Sequence, residues 1–82
     1  MDVTEAVVDV LIDHTSMERD EIKLNSHLED DLELNRLEIS RVLDALAERF
    51  EVWTGKPRIK EVRRVQDLVD WLTPFATLAL AE

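Results

Sequence analysis

Cysteine is absent from the 82 residues, and glycine occurs once, at Gly55. The first absence excludes a disulfide framework and a thiolate metal site. It also fits a reducing compartment. The second excludes a glycine-rich phosphate loop, which needs several glycines in a short stretch. Proline occurs twice, at Pro57 and Pro74. With so few breakers and so much Leu, Glu, Ala and Arg, the chain reads as helical. No apolar run approaches the ~20 residues of a membrane span. The opening MDVTEAVVDV is acidic and lacks the basic stretch of a signal peptide. These absences lead to the expectation of a cytoplasmic protein with no membrane span.

What is present supports a small folded domain. Hydrophobic residues make up 45% of the chain, enough for a core. At this length one domain over residues 1–82 is expected, burying about 60–65% of its unfolded surface. The net charge of −9 is uneven. Residues 1–33 hold eleven acids against Arg19 and Lys23, whereas residues 34–82 hold eight of each sign. Phosphate backbones are repelled by such a chain, so no nucleic acid partner is expected. The short basic run KPRIKEVRR (56–64) reads as a solvated face.

Along the chain, Asp2 is placed to cap a first helix, with Glu5 completing a capping box. Val3, Val7, Val10 and Leu11 follow at helical spacing, flanked by Val8 and Ile12, and the helix should end near residues 14–16. Residues 17–34 have no sustained period. Met17, Ile22, Leu24, Leu28, Leu32 and Leu34 are each suited to plug the mouth of a bundle, and one short helical turn fits within this loop. The spacing then predicts a helix over 35–51. Asn35 and Glu38 form a second capping-box pair, and Ile39, Leu43, Leu46 and Phe50 form its core stripe. Arg36, Ser40, Asp44 and Glu48, four apart, share a less buried face. Gly55 and Pro57 mark a turn, residues 57–63 suit a short helix, and Val65, Leu68, Val69 and Leu72 define a last one. Pro74 should end or kink it near Leu72. The expectation is all-α: three longer helices, a short third helix and a long first loop, packed as a bundle.

Little here suggests catalysis. His14 and His27 lack ligand-like spacing and read as ordinary polar residues. Glu29, Asp30, Asp31 and Glu33 lack the glycine and ligand spacing of a calcium loop, and they read as a solvated acidic turn before a helix N-terminus. Two histidines and three serines give no Ser/His/Asp arrangement. A bundle of this size leaves little room for a substrate pocket of ~300 Å³. Neither an enzyme nor a metal site is expected.

The stretch EDDLELNRLEIS (29–40), with LDALAERFEV (43–52) and EVRRVQDLVDWL (61–72), resembles the acyl carrier proteins and peptidyl carrier domains. Their motif is Asp-Leu-Gly-x-Asp-Ser-Leu at the start of the second helix. Asp31 and Leu32 match its Asp-Leu, Leu37 its last leucine, and Glu38 an acidic position that often follows. The pattern lies on residues 30–72 without a gap. The resemblance implies the family's four-helix bundle with a long first loop. It also implies a serine carrying a phosphopantetheine arm, and a second helix presented to partner enzymes of fatty acid, polyketide or related synthesis. The corresponding partner-facing positions are Leu37, Glu38, Arg41, Asp44 and Glu48. A monomer is expected.

The departures gather at the attachment position. The motif's glycine is Glu33, its aspartate Asn35 and its serine Arg36, and the last helix lacks a threonine-like cap, having Arg64. Arginine has no hydroxyl and its guanidinium stays protonated, so it cannot form the phosphodiester. No cofactor is expected unless an atypical residue such as Ser40 is modified. Ser40 lies roughly 40° around the helix from Arg36 and ~6 Å along it. Two roles stay open for Arg36: pairing at the surface with Glu33 or Ser40, or reinforcing an anion site at the helix N-terminus. Three functional readings follow. They are an unloaded carrier-like module that docks on proteins, a carrier loaded at Ser40, and an unrelated helical domain that self-associates through the apolar tail (75–81), Trp53 and Trp71.

Overall fold

Asp2 starts the first helix by accepting the Thr4 and Glu5 amides on its carboxylate at 2.9 and 3.4 Å. This is half of the expected capping box; among the described residues Glu5 makes no return bond. In the computed structural model, residues 2–52 and 56–80 are described, the side chains of 76–80 excepted. The expected turn glycine, Gly55, and Trp53 therefore lie outside the described residues. Helix α1 spans Val3–His14 and buries Ala6, Val7, Val8, Val10 and Leu11. Helix α2 spans Arg36–Phe50 and buries Ile39, Val42, Leu43, Leu46 and Ala47. Helix α3 spans Val65–Leu80, with Val65, Leu68, Val69 and Leu72 in the same core. Each buried set is the stripe that period 3.6 selects. α1 packs against both α2 and α3.

Four of the loop's apolar residues complete this core. Ile22, Leu28, Leu32 and Leu34 are buried, and Met17 packs against them. Leu24 departs from the expectation: it is 42% exposed. Its carbonyl explains why, because it accepts the Gln66 amide at 2.8 Å and holds the backbone at the rim. The Leu28 amide donates to the Arg63 carbonyl at 2.9 Å, and the Val65 amide to the Ser26 carbonyl at 3.1 Å. His27 and Arg64 thus form an antiparallel bridge. A loop with no helical period is held by backbone bonds to the entry of α3 and by its leucines. One turn of 3-10 helix occurs in it, at Arg19–Glu21.

The expected four-helix bundle is corrected to three α-helices among the described residues. Where the short third helix was expected, the chain makes only one 3-10 turn, Ile59–Glu61. The cause is local. The Glu61 and Val62 amides donate to carbonyls three residues back, at 2.9 and 3.2 Å, the bonding of a 3-10 turn. The next two amides, of Arg63 and Arg64, donate to the Asp67 carboxylate at 2.9 and 3.0 Å, so the turn cannot propagate. The first amides of α3, of Val65 and Gln66, are instead taken by the Ser26 and Leu24 carbonyls of the loop, in place of the cap that Arg64 does not supply.

Of the two outcomes expected at Pro74, ending the helix near Leu72 is excluded: the residue lies inside α3, which continues to Leu80. A proline removes one backbone bond, but the following Ala-, Leu-rich run has high helix propensity. The Thr73 hydroxyl donates to the Val69 carbonyl at 2.6 Å beside the break. Among the described residues no helix is long and apolar enough to cross a membrane.

Candidate functional site

The loop reaches α2 through a tight turn built around Asp31. The Asp31 and Leu32 amides donate to the His27 carbonyl at 2.9 and 3.0 Å. In return the His27 amide donates to the Asp31 carboxylate at 2.7 Å. The Leu34 amide closes the turn on the Leu28 carbonyl at 2.9 Å. Leu32 and Leu34 are thereby driven into the core, while Glu29, Asp30, Asp31 and Glu33 stay exposed. Reversing the chain between two buried leucines requires a left-handed residue. Glu33 takes that conformation, with φ of 56°. Glycine would do so without steric cost.

Asn35 then caps α2. Its side-chain oxygen accepts the Glu38 amide at 2.8 Å, and the Glu38 carboxylate accepts the Asn35 amide at 3.0 Å. This is the reciprocal capping box read from the sequence. Glu38 is thus committed to the junction itself.

Arg36 is the first residue of α2 and is exposed. Neither Glu33 nor Ser40 pairs with it; among the described residues its guanidinium has no ion-pair or hydrogen-bond partner. It lines a surface hollow of about 350 Å³ together with Glu29, Asp30, Ile59, Lys60 and Arg63. The site therefore joins the start of α2 to the 3-10 turn, segments some 25 residues apart in sequence. The sequence offered no sign of that juxtaposition, because the basic run 56–64 has the look of any solvated face.

Ser40, one turn further along α2, is half-buried and does not line this hollow. Leu37 is 61% exposed, unusual for a large apolar side chain next to a helix start. Arg41, Asp44 and Glu48 are exposed along the same helix. Asp44 accepts from Lys56 Nζ at 2.6 Å. The positions expected to face a partner thus fall into two groups: Leu37, Arg41 and Glu48 project freely, whereas Glu38 and Asp44 already hold intramolecular partners.

A second hollow, of about 550 Å³, lies between the end of α1 and the turn. Asp13, His14, Met17, Glu33 and Glu38 are among its walls. Both hollows are open at the surface rather than enclosed in the bundle. The larger one assembles no catalytic set. His14 Nδ1 donates to the Val10 carbonyl at 2.9 Å and closes the last turn of α1. Among the described residues, no group of three or more His, Cys, Asp or Glu side chains converges as metal ligands would.

The junction does not fit a covalent phosphopantetheine. Position 36 offers no hydroxyl, and the nearest one on α2 sits a turn away and half-buried.

No family model matches the chain. Individual proteins do. It is 31% identical over 72 residues to the acyl carrier protein of Campylobacter concisus, an alignment covering 88% of this chain and 94% of that protein. It is 31% identical over 70 residues to the acyl carrier protein of Clostridium acetobutylicum, covering 85% and 91%. With the acyl carrier protein of Helicobacter hepaticus the identity is 26% over 72 residues, covering 88% and 95%.

Proposed function

The chain belongs to the acyl carrier protein family, and from that premise we propose that it is an unloaded, carrier-like module. It would act by docking on proteins of fatty acid, polyketide or related acyl-chain synthesis. One observation carries the reading: the residue that starts α2 is an exposed arginine with no hydroxyl to modify. Membership of a carrier family agrees with the expectation that the chain is not an enzyme. It also removes the third reading, an unrelated helical domain. The long first loop, plugged into the core by Leu28, Leu32 and Leu34, likewise opposes a plain self-associating bundle.

Docking would centre on Leu37. An apolar side chain left mostly in water between two arginines, Arg36 and Arg41, has the composition of an interface anchor with a charged rim. Asp44 and Glu48 extend that face along α2. The module would act as a monomer, and the reading requires no prosthetic group. The Ser40-loaded alternative has the residue type but not the placement, since Ser40 is half-buried beyond the junction.

The docking claim is tested by titrating the chain against the acyl-chain-building enzymes of its own source, by calorimetry or surface immobilisation. Binding to at least one should weaken about tenfold or more in Leu37→Glu. Binding that ignores this substitution, or no binding to any of them, would overturn it.

A further inference from the structure

The hollow beside Arg36 has an unusual charge state for this molecule. With 19 acids against 10 bases, a surface cation in this chain has abundant partners. Among the described residues only Arg19, Lys56 and, at 3.9 Å, Arg49 have one; what sets the hollow apart is that three of the unpaired cations gather in it. Arg36, Lys60 and Arg63 line one hollow and, among the described residues, none is ion-paired. Glu29 and Asp30 stand in the same wall without bridging to them. The hollow is therefore net positive in a protein of net charge −9.

The geometry is fixed by the fold. The bond from the Leu28 amide to the Arg63 carbonyl sets the loop against the basic segment, and the bonds from the Arg63 and Arg64 amides to Asp67 hold that segment in place. The Asn35 side chain accepts only the Glu38 amide, which leaves the Arg36 and Leu37 amides at the start of α2 without a cap. Two guanidinium forks and an ammonium share one concavity of about 350 Å³.

We propose that this hollow binds a small tetrahedral oxyanion, a phosphate group being the class that suits it. Planar guanidinium forks match phosphate oxygens two at a time, and the ammonium adds a point charge. The mutual repulsion of three cations is relieved when such an ion enters. Arg36 is the central donor, because it alone comes from the helix N-terminus. Ile59, half-buried in the wall, offers an apolar surface to a carbon substituent. The phosphate is either free or the head of an ester. The site is independent of the docking reading: protein binding through Leu37 does not require it.

The test is a titration of the full chain with inorganic phosphate, and separately with butyl phosphate, followed by amide 1H–15N spectra. Ionic strength is held constant with chloride. Saturable shifts are expected at residues 36, 37 and 60–63. Arg36→Gln and Arg63→Gln should each weaken binding about tenfold, while Lys23→Gln, a cation that does not line the hollow, should leave it unchanged. Tighter binding of butyl phosphate would identify an ester as the source, and equal binding free phosphate. Shifts that chloride reproduces, that spread evenly over all surface bases, or that survive Arg36→Gln would overturn the site.

Discussion

Glu33→Gly should give a more stable fold than Glu33→Ala, although both delete the same charged side chain. At φ of 56°, the Glu33 β-carbon crowds the following carbonyl, a cost of about 1–2 kcal/mol for an L-residue. Glycine removes that cost but adds freedom to the unfolded chain, which takes back about 0.4–1 kcal/mol. The side chain is exposed and makes no ion pair or hydrogen bond among the described residues, so little else is lost. Its remaining contribution is the favourable field of a carboxylate near the N-terminus of α2, about 0.3–1 kcal/mol. Glu33→Ala isolates the backbone term, because it also removes the carboxylate and keeps the β-carbon. Glycine should therefore exceed alanine by about 0.5–1 kcal/mol in urea denaturation, or about 2–8 °C in melting temperature for a domain of this size. A glycine variant no more stable than the alanine variant would refute the reasoning. Glu51, at φ of 55°, offers an internal repeat of the test. It sits where α2 ends, with the Val52 amide on the Ala47 carbonyl at 2.8 Å and the Glu51 amide on the Glu48 carbonyl at 3.3 Å, the closure that usually takes glycine.

Other predictions follow from the same contacts. Leu28 is fully buried although it lies in the loop, so Leu28→Ala should cost about 2–5 kcal/mol, a large part of the about 4–12 kcal/mol available to such a chain. A loss under about 1 kcal/mol in urea denaturation would mean the loop does not plug the core. The Trp71 indole N–H is buried without a partner among the described residues, and an unmade bond of this kind costs about 1–3 kcal/mol. Trp71→Phe should accordingly be neutral or slightly stabilising. A loss above about 2 kcal/mol would reveal a partner for that N–H.

The helices were legible because their signals are local. Asn35 and Glu38 stand three apart, and Ile39, Leu43 and Leu46 recur at helical spacing, which is enough to place α2 within a residue at either end. What escaped the sequence depends on distant partners. Asp67 decides that residues 59–61 make one 3-10 turn rather than a helix, by taking two amides that lie before α3. Leu24 has the composition of a core residue, yet the bond from Gln66 to its carbonyl keeps it at the rim. Pro74 is a local stop signal that the helix nevertheless passes through. The hollow joining Arg36 to Lys60 and Arg63 has no signature in either segment alone. Only Glu33 gave a clue in advance, standing where the related motif has glycine, and the left-handed turn is found there.

The central claim is that this carrier-family chain is not loaded. The most direct measurement is its intact mass after incubation with coenzyme A and a broad-specificity phosphopantetheinyl transferase, with an ordinary acyl carrier protein in the same tube. Full loading of the ordinary carrier and an unchanged mass for this chain are expected. A gain of one phosphopantetheine would contradict the claim, and loss of that gain in Ser40→Ala would place the arm one helical turn beyond Arg36.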